Sequence, residues 1–290
     1  MRTELRRLFA LASILAVAAC GGSESNTHAS TAGDAGGTTS GDGGGGTTTP
    51  TAFKTHVILG DSISNMFGEG PYFYQLIDHN DDNKWPDYKG KDLATKYGSS
   101  LKIVTASKGG ATGTGLDTQV HGLPQTLDGP VLVTITIGGN DVVAAMGTLL
   151  LSGNDDADVA NFKTYLDRAF GELTMPGRFG AGVDVKVLVA NIYDPSDGTG
   201  TFKFANGTSC GQPFSLWNKG PTAMYLSPWE DAMTSTAAKY PGVTVLDMHS
   251  RFMGHGVPAK ETWFYSDCIH PNAPGHNEVR GLFWDAIAKM

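Results

Sequence analysis

The chain has 290 residues, a hydrophobic fraction of 40% and a mean hydropathy of −0.16, which is typical of a globular protein with one large domain or two small ones. Its formal net charge is −8. This acidic balance argues against a nucleic-acid partner, because proteins that bind a phosphate backbone usually present a basic face.

Residues 1–20 have the pattern of an export signal. Three arginines among residues 2–7 precede an apolar stretch, residues 8–19, that is too short to span the roughly 30 Å hydrocarbon core as a helix. The stretch ends in VAAC, residues 17–20, which resembles the lipobox of bacterial lipoproteins, where the cysteine is lipidated after cleavage just before it. We therefore expect residues 1–19 to be a signal peptide and Cys20 to anchor an exported protein in the cell envelope, at the outer membrane or cell surface. The simpler alternative is an ordinary secretory signal with a chance cysteine.

Residues 20–52 consist mainly of glycine, serine and threonine. They hold almost nothing to bury, so they cannot offset their ordering entropy. We expect them to form a flexible tether that spans roughly 30 Å between the anchor and a folded domain over residues 53–290.

Five short apolar runs rich in β-branched residues follow, and they alternate with longer helix-like stretches. Several runs are largely apolar rather than alternating, as expected of strands covered on both faces. The runs are Thr55–Leu59, Leu101–Ala106, Val131–Ile137, Val185–Ala190 and Val243–Leu246. Strand–helix alternation predicts an α/β fold with a parallel sheet, right-handed crossovers and helices on both faces. Sites in such sheets form at the carboxyl ends of the strands.

Two helices are predicted from apolar residues at three- and four-residue spacing. One covers residues 159–173. The other is capped by Asn272 and turns one apolar stripe inward. That stripe comprises Val279, Leu282, Phe283, Ala286 and Ile287.

Three polar segments lie where this fold would place a site. Ser62 follows the first strand in Gly-Asp-Ser, Asn140 follows the third in Gly-Gly-Asn-Asp, and His270 precedes the last helix. Histidine is the usual base for a neutral serine, an asparagine amide can donate to an oxyanion, and Asp267 can orient the imidazole. Each segment alone could be a plain turn or a helix cap, but their common placement predicts a nucleophilic serine site.

Between Lys54 and Ile287 the sequence contains four short segments in this order: GDSIS, SKGGATG, GGND and DCIHPNAPGH. In these segments the sequence resembles the GDSL lipases/acylhydrolases, also called SGNH hydrolases. Ser62 does not lie in a GxSxG motif, the nucleophile elbow of α/β-hydrolases. The resemblance implies a flavodoxin-like three-layer α/β/α sandwich around a five-stranded parallel sheet.

The resemblance also implies the site residues. The nucleophile falls on Ser62, the base on His270 and the triad acid on Asp267, although a backbone carbonyl could orient the imidazole instead. The oxyanion donors would be the Ser62 amide, the Asn140 side chain and a glycine amide. Gly110 fits the glycine best, with Gly109 as the alternative.

The resemblance implies a serine esterase that cleaves carboxylic esters of lipid or short-chain acyl groups through an acyl-enzyme. The alternatives are an O-deacetylase of polysaccharide and, in another class, a non-catalytic surface binding protein on the same fold. No cofactor or metal is expected, because His249, His255 and His276 lack ligand spacing on one element. The acidic loop Asp78–Lys84 lacks the glycine and glutamate of a calcium loop.

Cysteines and tryptophans add two further expectations. In an oxidising compartment Cys210 and Cys268 would form a disulfide that ties a polar loop to the His270 segment, the alternative being two free buried thiols. Trp85, Trp217 and Trp229 could line a sugar platform or an apolar groove, or pack in the core.

Overall fold

The central sheet of the computed structural model has five parallel strands in the order β2-β1-β3-β4-β5. The strands are β1 (Thr55–Gly60), β2 (Lys102–Thr105), β3 (Val131–Thr136), β4 (Val185–Ala190) and β5 (Val243–Leu246). All five predicted strands are therefore confirmed. The largest difference is β2, which loses a residue at each end and is mostly exposed, because it pairs only with β1 at the edge of the sheet.

The structure describes residues 52–98, 101–211 and 223–290. The segment from Ala52 to Met290 makes one compact unit. The predicted signal peptide, Cys20 and most of the tether lie outside the described residues, as does Trp217. No helix in the described part of the chain is both long and apolar enough to cross a membrane.

Helices cover both faces of the sheet. They are α1 (Phe73–Asp78), α2 (Leu93–Tyr97), α3 (Gly113–His121), α4 (Gly139–Ser152), α5 (Asp156–Leu173), α6 (Ala223–Ala237), α7 (Met248–Phe252) and α8 (Ala273–Ile287), with a 3-10 turn at Pro86–Tyr88. One buried cluster joins the sheet to α3, α4, α5 and α6, and a second joins its other face to α1, α2, α7 and α8. The expected three-layer α/β/α sandwich is confirmed.

The strand interiors explain why these runs carry apolar residues on both faces. Successive side chains of a strand point to opposite faces, so Val131 and Val133 enter the first cluster while Leu132 enters the second. Each of the three is fully buried. Complete burial of such a side chain contributes roughly 1.5–3 kcal/mol, which favours this register of the sheet.

Helix α8 begins as predicted, because the Asn272 side chain accepts a hydrogen bond from the Gly275 amide at 2.9 Å. Its buried face also holds Arg280, which the apolar pattern does not predict. The Arg280 guanidinium donates to Asn80 Oδ1 at 2.8 Å and lies 3.5 Å from the centroid of the Tyr88 ring. Burial lowers the pKa of Arg280 to about 10. This side chain fastens the segment between α1 and α2 to the last helix.

Candidate active site

The turn after β1 presents Ser62 at the carboxyl edge of the sheet. Gly60 has a φ of +114°, and any side chain there would collide with the Thr136 carbonyl, so only glycine fits. The Gln119 side chain bonds both the amide and the carbonyl of Gly60, at 2.8 and 2.9 Å. Ser62 therefore projects from a turn whose backbone is fixed by hydrogen bonds at both the amide and the carbonyl of Gly60. No helix begins directly after Ser62, and the next one starts at Phe73.

Asp61 is buried beside Ser62, in a position whose role the sequence pattern does not indicate. Its Oδ1 accepts hydrogen bonds from the Thr136 hydroxyl at 2.8 Å and from the Ile63 amide at 3.1 Å. Burial nevertheless raises the pKa of Asp61 to about 6. The Ser64 hydroxyl lies 2.8 Å from that of Thr136 and donates to it, because Thr136 gives its own proton to Asp61. These contacts join the Ser62 turn to the end of β3.

His270 reaches Ser62 and Asp267 at the same time. Its Nε2 lies 2.8 Å from Ser62 Oγ, and its Nδ1 lies 2.6 Å from Asp267 Oδ2. With a proton on Nδ1 directed at the carboxylate, the neutral ring leaves Nε2 free to accept the serine proton. The structure thus brings three of the predicted site residues into one hydrogen-bonded row.

Asp267 is held as a carboxylate by hydrogen bonds. Its Oδ1 accepts the backbone amides of Ile269 and His270, both at 3.0 Å. Partial burial raises the pKa of Asp267, but the bonds from the His270 side chain and from these two amides outweigh it and lower the pKa below its usual range. The carboxylate is therefore charged at neutral pH, as a group that stabilises an imidazolium must be.

The segment around His270 is fastened covalently and by hydrogen bonds. Cys268 adopts a φ of +67° and forms the expected disulfide with Cys210, with a Cα–Cα distance of 6.0 Å. The Tyr193 hydroxyl donates to the Ile269 carbonyl at 2.5 Å. These anchors keep His270 in place over Ser62.

Asn140 lies in the first turn of α4, directly after β3, and β3 is the neighbour of β1. Its Nδ2 donates to the Ala111 carbonyl at 2.9 Å. An amide nitrogen carries two protons, so a second one remains for a ligand. Gly110 adopts a φ of +78°, and Gly109 lies against the Phe67 ring, where a Cβ would come within 2.6 Å of Cε2.

Asp141 connects the same loop to α4. Both of its carboxylate oxygens accept the Gly113 amide at the start of α3, at 2.9 and 3.1 Å. Burial raises the pKa of Asp141 to about 7 in spite of this bond and of the favourable end of the helix. Asn140 and Asp141 together fix the loop of residues 107–112 against the end of β3.

The three histidines that were not expected to bind a metal each have different neighbours. His249 bonds Glu230 at 2.6 Å, His255 stacks on Trp263, and His276 is buried in α8. Within residues 52–98, 101–211 and 223–290 no group of three or more His, Cys, Asp or Glu side chains is placed to hold a metal ion.

Two of the three tryptophans considered for a substrate platform can be placed. Trp229 is a core residue that packs on Phe162 with ring centroids 5.4 Å apart. Trp85 is half-buried, next to the 3-10 turn. Trp229 is therefore unavailable to a substrate.

Comparison with known proteins identifies the family of the chain. The family model described as GDSL-like Lipase/Acylhydrolase family matches residues 58–277. No curated protein sequence matches the chain. Among solved structures, a lipase from a goat rumen metagenome is 15% identical over 80% of this chain and 96% of its own, with a TM-score of 0.50. A lipase/acylhydrolase from Enterococcus faecalis is 15% identical over 81% and 96%, with the same TM-score of 0.50. These likenesses show the fold, and the family match shows the class: the chain belongs to the GDSL-like lipase/acylhydrolase family and is an ester-bond hydrolase.

Proposed function

We propose that the protein is a serine esterase in which Ser62 attacks a carboxylic ester with His270 as its base and Asp267 as the orienting acid. The observation that carries this proposal is the row of contacts at His270, 2.8 Å to Ser62 Oγ and 2.6 Å to Asp267 Oδ2. A nucleophile, a base and a carboxylate at hydrogen-bond distance are the parts that acyl transfer to a serine requires.

The reaction then proceeds in two halves. His270 takes the Ser62 proton as Oγ adds to the ester carbonyl, and the tetrahedral oxyanion accepts hydrogen bonds from the Ser62 amide, the Gly110 amide and the Asn140 side chain. His270 returns the proton to the leaving alcohol, and an acyl-enzyme remains. Water activated by His270 then adds to that ester, the bond to Oγ breaks, and Ser62 regains its proton.

A covalent probe tests this proposal directly. An organophosphorus fluoride should phosphorylate Ser62 with loss of fluoride, and mass spectrometry of the peptides would locate the adduct. Ser62→Ala should abolish both the labelling and the hydrolysis of p-nitrophenyl acetate. Ser235→Ala removes an exposed hydroxyl from α6 and should change neither. Full hydrolysis by Ser62→Ala would refute the assignment.

We further propose that the enzyme is exported and anchored to the cell envelope through a lipid on Cys20, with residues 1–19 removed and residues 20–52 serving as the tether to the hydrolase domain at 53–290. The VAAC sequence at residues 17–20 supports this proposal, and the Cys210–Cys268 disulfide suits an oxidising compartment. Wild type expressed in bacterial cells should sediment with membranes and incorporate labelled palmitate. Cys20→Ser should lose both properties, whereas labelled and sedimenting Cys20→Ser protein would rule the anchor out.

A further inference from the structure

Phe67 is an exposed aromatic residue that lies directly against the proposed catalytic base. Its ring stacks on the His270 imidazole with centroids 5.3 Å apart and an interplanar angle of 27°. The other side of the site also touches it, because the ring fills the space where a Gly109 side chain would stand. Yet 40% of the residue remains open to solvent. An apolar ring is thus displayed between the base and the loop proposed to hold the oxyanion.

The backbone around Phe67 is held by the segment that carries His270. Gly68 has a φ of +91° and packs so closely on the Pro271 carbonyl that no side chain could be added. The Glu69 amide donates to that same carbonyl at 3.3 Å. The backbone at Phe67 therefore cannot move away from the site without disturbing the His270 segment.

A buried histidine holds the Phe67 backbone from the other side. His276 is fully buried, and burial lowers its pKa to about 4, so its imidazole is neutral. Its Nε2 lies 3.1 Å from the Phe67 carbonyl and donates to it. The Tyr72 ring packs edge-on against His276 at 5.1 Å. Phe67 is thus an exposed ring on a fixed backbone, which distinguishes it from an ordinary mobile surface side chain.

The position of the ring relates it to one part of the ester. His270 must protonate the leaving oxygen through Nε2, so the alcohol portion of the substrate passes beside the imidazole. A ring stacked on that imidazole therefore lines the path of the alcohol portion. The ring offers apolar surface and no hydrogen-bond donor, which favours an apolar or aromatic alcohol over a heavily hydroxylated one.

We propose that Phe67 is a specificity-determining residue that contacts the alcohol portion of the ester and selects esters of apolar alcohols. This inference rests on the proposed function, since it requires Ser62 and His270 to act on an ester. It assigns the substrate class as acyl esters of alkyl or aryl alcohols.

The test uses a series of acetates, ethyl, butyl and hexyl, assayed by acetate release. All three give the same acetyl-enzyme, so differences in kcat/KM report the acylation step alone. Wild type should prefer the longer alcohols. Phe67→Ala should lower kcat/KM for hexyl acetate about tenfold, the scale of one lost aromatic contact, and that for ethyl acetate less than about twofold. Phe67→Leu should recover part of the preference.

Matched measurements separate the outcomes. Met175→Ala removes an exposed apolar side chain after α5, outside the site, and should leave the whole series unchanged. An equal loss on all three acetates in Phe67→Ala would mean that the ring only supports His270, and would overturn the inference. A loss that instead grows with acyl length at a constant ethyl alcohol would also overturn it, in favour of an acyl contact. Failure of the proposed function itself would appear separately, as acetate release by Ser62→Ala.

Discussion

Asp267 contacts His270 through both of its carboxylate oxygens. Oδ2 lies 2.6 Å from the ring nitrogen Nδ1, and Oδ1 accepts the backbone amide of the same histidine at 3.0 Å. The two bonds set both the rotation of the imidazole and the position of its backbone. The side chain of Asp267 is still 38% exposed, so water can reach the carboxylate.

Replacing Asp267 with asparagine should therefore reduce turnover strongly but incompletely. The new side-chain amide would turn either its oxygen or its NH2 group toward Nδ1, and the NH2 group favours the wrong tautomer of the imidazole. By analogy with other serine triads we expect kcat to fall by about a hundred- to ten-thousandfold, less than in Ser62→Ala. Steady-state hydrolysis of p-nitrophenyl acetate measures both variants. Asp87→Asn, an exposed carboxylate in the 3-10 turn, is the control. Equal losses in Asp267→Asn and Ser62→Ala would contradict this ranking.

Removing the Asn140 side chain should affect catalysis more than folding. An oxyanion donor typically contributes about 3–4 kcal/mol to the transition state, so kcat of Asn140→Ala should fall by two to three decades. The folded state loses one hydrogen bond, to the Ala111 carbonyl, which is worth only about 1 kcal/mol. Turnover and thermal unfolding measured on the same preparation test both parts. Asn206→Ala, on an exposed turn, should alter neither, and near-normal turnover of Asn140→Ala would remove it from the oxyanion site.

Breaking the Cys210–Cys268 disulfide should lower stability. The bond joins residues separated by 58 positions, and the loop-entropy model assigns about 4 kcal/mol to a closure of that size. Guanidinium unfolding of Cys210→Ser, compared with wild type in the presence and absence of reductant, gives the difference. Reductant should destabilise wild type by a similar amount and leave the variant unchanged. If reduced and oxidised wild type unfold at the same midpoint, the bond contributes nothing to stability.

Stability should fall as the pH rises through the titration of Asp141. The folded-state pKa of about 7 exceeds the ordinary value of 3.8, so folding takes up a proton between those values. The contribution of Asp141 to the unfolding free energy is therefore highest below about pH 4. It decreases up to about pH 7, by at most about 1.4 kcal/mol per pH unit. Asp61, whose pKa is about 6, also lowers the unfolding free energy as the pH rises, over a narrower pH range.

A variant separates the Asp141 contribution from the rest. In Asp141→Asn the unfolding free energy, measured by urea titration between pH 4.5 and 7.5, should decline less steeply than in wild type. Asp87→Asn, which changes an exposed carboxylate in the 3-10 turn, should reproduce the wild-type slope. An unchanged slope in Asp141→Asn would show that its carboxyl group titrates normally in the folded protein.

Much of the fold follows from local pattern. A strand buried on both faces is mostly apolar and shows no strict alternation, so β1 and β3 are recognisable in isolation. The cap of α8 needs only Asn272 and the amide three residues later. The disulfide is predictable because only two cysteines remain after the N-terminal segment.

Other features of the site depend on contacts between distant residues. The hydroxyl that binds Asp61 belongs to Thr136, which lies 75 positions away. No local sequence pattern near either residue predicts this contact. Phe67 reads as one aromatic residue in a glycine-rich turn until His270 and Gly109 are placed beside it. The lack of a helix after Ser62 has a similar origin, since long-range bonds such as Ser64 to Thr136 hold that turn.

The bond between Ser62 and His270 spans 208 positions, from the end of the first strand to the residues just before the last helix. The two side chains can meet only after the segment that carries His270 has packed against the carboxyl edge of the sheet. A refolding chain that has formed only its first four strands would therefore hold its serine without a base. Under the proposed mechanism, the onset of ester hydrolysis in a refolding experiment would report the packing of the His270 segment. Partly refolded chains would be inert toward esters.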